Sequence, residues 1–157
     1  LRTGNYQKAN QFASEALKLL RKHPDLLVSQ AEIFLSQAVT LSNGFSSQRY
    51  RFAQVPKIGM TGMYFLDSAE ALCQEAQQLN QYSAQVLECL GLIAFKKGHF
   101  AEAEEYFLAA TGMDKYCCQS NLGALYAQMQ QLEEAKGKLK IAIDNDKYNS
   151  HAYIELG

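Results

Sequence analysis

The chain has no tryptophan, three histidines and only two prolines, Pro24 and Pro56, in 157 residues. Proline breaks or kinks helices, so its scarcity leaves most of the chain free to be helical. β-Branched residues are sparse and scattered, which argues against strands. No run of 18 apolar residues occurs, so no membrane-spanning helix is expected, and no signal peptide is visible. The four cysteines, Cys73, Cys89, Cys117 and Cys118, include no C-x-x-C pair. With so few histidines, no metal site of recognisable spacing is expected. Adjacent Cys117 and Cys118 make poor disulfide partners. Reduced thiols then point to a reducing compartment and a cytoplasmic protein. No Ser/His/Asp or Cys/His arrangement stands out, and the G-x-x-G at Gly59 and Gly62 is too short to be a phosphate loop. The sequence is therefore read as a non-enzyme without a cofactor.

What is present is helix-forming residue types. Apolar residues make up 48% and charged residues 20%, ordinary for a globular protein. Alanine, leucine, glutamate, glutamine and lysine dominate. Apolar positions recur at three- and four-residue spacing, as in Leu87–Leu90–Ala94, rather than alternating. The fold class is all-α. The net charge of −1 conceals an asymmetry. Residues 1–66 carry eight Lys/Arg against three acids, and residues 67–157 carry seven against thirteen. Such a dipole bears on the steering of partners rather than on the fold.

Three segments align: TGNYQKANQFASEA at 3–16, KGHFAEAEEYFLAA at 97–110 and MQQLEEAKGKLKIA at 129–142. Each carries an aromatic residue or leucine (Tyr6, Phe100, Leu132) and then alanine three residues on (Ala9, Ala103, Ala135). A second alanine follows seven residues later (Ala16, Ala110, Ala142). Between them recurs a Leu-Gly part, in VLECLGLIAF, QSNLGALYAQ and AYIELG. Gly91, Gly123 and Gly157 are 32 and 34 residues apart, and Asp-Lys-Tyr recurs at 114–116 and 146–148. Two helices per period of this length are the mark of a helical solenoid.

These residues resemble the tetratricopeptide repeat (TPR) family. One unit begins at Ala84, with Leu87, Leu90, Gly91, Ala103, Phe107 and Ala110 in the family's places. The next has Gln119, Leu122, Gly123, Tyr126, Ala135, Leu139 and Ala142, and a third begins near Ser150. Lys115 and Lys147 stand where proline is usual, and Ala94 where tyrosine is usual. The resemblance implies a right-handed α-solenoid of antiparallel helix pairs, a TPR-like superhelix. Gly91 is expected to face Ala103 and Gly123 to face Ala135, with Leu90, Phe107 and Leu122 filling the layer.

The chain is read as a single repeat domain over 1–157, regular over 84–157 and degenerate over 1–83. Helices are expected at 5–22 and about 26–42, with His23-Pro24 as a stop and a further helix over 67–76. The stretch 43–62 is expected to be irregular. Both ends fall inside repeats, so the chain reads as an excerpt of a longer array. Self-association through uncapped ends is the alternative.

His99 lies beside Glu102, Glu104 and Glu105, but it occupies a turn position that holds Asn5 and Gln131 in the related segments. It is read as structural. In TPR proteins the first helices of successive repeats line a groove for a peptide. Carried over, the groove positions are Gln85, Glu88, Leu92, Phe95 and Lys96, then Cys117, Ser120, Ala124, Ala127 and Gln128, then His151 and Ile154. Glu88 and Leu92 stand where some family members use Lys and Asn to hold a carboxylate, so that clamp is not expected. A groove of small and mildly apolar residues suits a hydrophobic peptide or helix. The function expected is a protein-interaction scaffold with a protein or peptide partner. A regulatory or substrate-recruiting segment of a larger enzyme is the alternative from another class. A further alternative is polyanion or nucleic-acid binding by segment 45–57, where Arg49, Arg51 and Lys57 interleave with Tyr50 and Phe52. Three cations make a weak patch, so nucleic acid is disfavoured.

Overall fold

A computed structural model describes residues 23–42, 59–80 and 83–146, together with Phe12, Glu15 and Lys18. The helices with described bounds are α1 (Pro24–Ser42), α2 (Met60–Leu79), α3 (Ala84–Lys97), α4 (Phe100–Met113), α5 (Gln119–Gln128) and α6 (Leu132–Asn145). There is no strand among the described residues, and none of their helices is long and apolar enough to cross a membrane. Phe12, Glu15 and Lys18 are helical and exposed.

Pro24 opens α1, two residues before the expected start. It occupies the first helical position, where its missing N–H is no loss, and the His23 carbonyl accepts from the Leu26 and Leu27 amides. The α2 boundary corrects the expected irregular stretch: Met60–Gly62 already form the first turn, because the Gly59 carbonyl accepts from the Met63 amide at 3.0 Å. From there Gly62, Leu66, Ala69, Cys73 and Ala76 are buried along one stripe at three- and four-residue spacing.

The helices pack as pairs, α1 on α2, α3 on α4 and α5 on α6, with lesser contact between neighbouring pairs. Only Gly98 and His99 separate α3 from α4, so α4 must return along α3. Each second helix buries the same triad. Ala69, Cys73 and Ala76 in α2 correspond to Ala103, Phe107 and Ala110 in α4, and to Ala135, Leu139 and Ala142 in α6. The caps repeat too. Residues Asn80, Asp114 and Asp146 are extended, and their amides bond to the carbonyls of Ala76, Ala110 and Ala142.

The turn inside each of the last two pairs is a Schellman motif, which satisfies the last carbonyls of a helix. The Gly98 and His99 amides bond to Phe95 and Ala94, and 32 residues on the Gln130 and Gln131 amides bond to Ala127 and Tyr126. Gly98 has φ 83° and Gln130 φ 62°, so the second turn holds a glutamine where the first has glycine.

The space at the recurring Leu-Gly steps at Gly91 and Gly123 is filled by the middle residue of the facing triad. A β-carbon on Gly91 would meet the Phe107 ring, rather than Ala103, and one on Gly123 would meet Leu139, with the Ala135 carbonyl next. Leu90 packs with α1 and α2, in a cluster separate from Phe107 and Leu122. Leu92 and Tyr106 touch both clusters. Across α2 and α3, Lys97 lies 2.7 Å from both Asp67 and Glu70.

Candidate functional site

The link between α4 and α5 shapes the site. The Asp114 carboxylate accepts from the Tyr116 amide at 3.0 Å, and the Asp114 carbonyl accepts from the Cys117 amide at 2.9 Å. The Thr111 hydroxyl reaches the carbonyls of Phe107 and Cys117, at 2.8 and 3.2 Å. Gln119 Nε2 donates to the Lys115 carbonyl at 2.6 Å. These bonds satisfy the backbone of a turn that ends on Cys118, at φ 60° and ψ 9°. Left-handed geometry is unusual for a residue with a side chain.

This link borders a cleft of about 550 Å³, walled by the N-terminal ends of α3 and α5 and by Ala142 and Asn145 of α6. Its charged lining residues are Glu88 and Asp114. Glu88 is half-buried: Oε1 accepts from Asn121 Nδ2 at 2.8 Å, and Oε2 stands 3.8 Å from Cys117 Sγ. Burial pushes the Glu88 carboxyl above its usual range, against the lowering effect of the bonds from Asn121 and Cys117. Cys117 Sγ and Cys118 Sγ are 2.9 Å apart, and both are free thiols. Burial raises both thiols; the Glu88 charge adds to this, and the bond between the two thiols lowers Cys117 while raising Cys118.

Of the groove residues expected from sequence, Gln85, Glu88, Cys117 and Ser120 line this cleft. Leu92, Phe95 and Lys96 lie further along α3, and Ala124, Ala127 and Gln128 along α5, outside its wall. Leu92 is half-buried and bridges the two core clusters, so it serves packing as well as any surface. Phe95 sits 5.9 Å from Phe100 between ring centroids, with Lys96 Nζ 5.5 Å from its centre. His151 and Ile154 lie outside the described residues, as do Arg49, Tyr50, Arg51, Phe52 and Lys57. His99 Nδ1 lies 3.3 Å from Glu102 Oε2, both side chains exposed, in the first turn of α4.

The grouping of Glu88 with Cys117 and Cys118 was not foreseen from spacing. Its members are 29 and 30 residues apart along the chain, close to one repeat period, and stacking of successive pairs brings them together. No protein-family model, curated protein or solved structure matches the chain.

Proposed function

We propose that the chain is a TPR-type interaction module: a right-handed α-solenoid that binds a peptide or partner helix across the faces of α1, α3 and α5. The recurrence of packing and caps carries this reading. The 32-residue shift superposes α4 on α6, the two Schellman turns and the Asp114 and Asp146 caps. A unit repeated with such fidelity buries its face only by stacking, and stacked first helices offer a continuous surface.

The cleft narrows the partner's chemistry. Glu88 and Asp114 are its charged lining residues, among Gln85, Ser120, Asn121 and Asn145. That polar, acidic wall favours a segment bearing lysine or arginine over the hydrophobic peptide or helix expected from the groove positions. It also disfavours polyanions at this place. The test is selection from a random peptide display library on the folded chain, with a chelator present. Basic peptides should be enriched, and Asp114→Lys combined with Ser120→Arg should weaken them at least tenfold. Enrichment that survives both substitutions, or favours acidic peptides, overturns the reading.

A further inference from the structure

The geometry points to Glu88, Cys117 and Cys118 as a binding site for one thiophilic divalent cation of the zinc class. One ligand atom from each lies within 4.8 Å of the others. Tetrahedral zinc, with bonds of about 2.3 Å to sulfur and 2.0 Å to oxygen, needs its donors roughly 3.5–3.8 Å apart. Cys117 Sγ and Glu88 Oε2 already stand at 3.8 Å. The two sulfurs, at 2.9 Å, need to open by roughly 0.9 Å to reach that spacing, a small side-chain rotation.

Two further observations support the site. The first is the environment of the carboxylate. Asn121 holds Glu88 Oε1 at 2.8 Å and leaves Oε2 towards the sulfurs, the way outer-shell amides orient metal ligands. The second is Gln119, which lines the same cleft, is 4% exposed and has an Oε1 with no hydrogen-bond partner. A buried oxygen without a donor is costly, and water bound to a cation in the cleft would supply one. The backbone favours chelation as well. Side chains of adjacent residues normally diverge, whereas the left-handed Cys118 brings both sulfurs to one side. On binding, each thiol gives its proton to solvent as its sulfur–metal bond forms, and the metal takes Glu88 in its carboxylate form. Half-buried Cys117 and the open cleft provide the route in.

The test is titration of the reduced full chain with cobalt(II), a spectroscopic stand-in for zinc. One equivalent should give thiolate-to-cobalt charge-transfer absorption, and zinc should displace it. Cys117→Ser should roughly halve that absorption and weaken binding at least tenfold. Glu88→Gln should weaken binding at least tenfold while keeping the thiolate bands, with helix content by circular dichroism unchanged in both. Cobalt that stays hexa-aqua, or bands of undiminished intensity in Cys117→Ser, would overturn the site. A second readout needs no variant: zinc should slow alkylation of Cys117 in the wild-type chain at least tenfold, mapped by mass spectrometry. Alkylation at an unchanged rate would overturn it equally.

Discussion

The Phe107 ring lies so close to Gly91 that a β-carbon there would stand 2.5 Å from the nearest ring carbon, and Leu139 holds the same relation to Gly123. Glycine costs about 1 kcal/mol against alanine inside a helix, so the step persists because the opposing side chain needs the space. Phe107→Ala should destabilise by about 3–5 kcal/mol. Gly91→Ala, despite its better helix propensity, should cost a net amount of about 2 kcal/mol through overpacking. In the Phe107→Ala background the sign should reverse, with Gly91→Ala stabilising by up to about 1 kcal/mol. Urea denaturation of the four chains decides it. Equal effects of Gly91→Ala in both backgrounds would show that the ring is not the obstacle.

Gln130 adopts φ 62° at the place where Gly98, one period earlier, adopts 83°. A side chain in this region costs about 1–2 kcal/mol per residue, which glycine avoids while losing more freedom on folding. Gln130→Gly should therefore stabilise by about 0.5–1 kcal/mol, and Gly98→Ala should destabilise by about 1 kcal/mol. Thermal melts of the two variants test both signs at once.

Where sequence patterning succeeded and failed follows from what each position answers to. The triads of α4 and α6 were legible because Ala103, Phe107 and Ala110 recur as Ala135, Leu139 and Ala142. The α2 triad was legible only in its alanines, since Cys73 stands in the place of Phe107 and Leu139. The start of α2 was misplaced because 43–62 was read as irregular, whereas Gly59 is a cap and Gly62 sits in a buried stripe. The residue packed against Gly91 was misread because spacing gives a face, and Phe107 reaches across it. The acidic, thiol-lined cleft was hidden for another reason. It joins Glu88 to a turn whose left-handed Cys118 no periodicity announces.

Tyr126 donates its hydroxyl to Glu104 Oε1 at 2.8 Å, tying α5 to α4. Burial, then the Glu104 bond and charge, push the phenol up to about 12, with Glu134 adding to the effect. The unfolded phenol titrates near 10, so the native state favours the protonated form. This contribution is fully present below about pH 10 and is lost as pH rises towards 12. Tyr126→Phe should cost about 1 kcal/mol at pH 8, and the gap to wild type should close above pH 10. A gap constant to pH 11 would place the loss in packing rather than in the bond.

Lys97 Nζ lies 2.7 Å from both Asp67 and Glu70, joining α3 to α2, and its side chain is only 12% exposed. Burial alone would lower its pKa, but the hydrogen bonds and charges of Asp67 and Glu70 more than offset that and raise it. Its contribution is thus present below the usual lysine value of about 10.4 and is lost as pH rises through the raised value. Lys97→Met keeps the apolar stem and removes the charge. It should cost about 1 kcal/mol at pH 7, held to that size because Asp67 is well solvated. Asp67→Asn should cost less than Glu70→Gln, since Glu70 is the more buried partner, at 34% against 64% side-chain exposure. If Lys97→Met is as stable as wild type in urea at pH 7, the ion pairs do no more than repay the desolvation of the ammonium. The α2–α3 joint then rests on the apolar contacts around Cys73 and Cys89 alone.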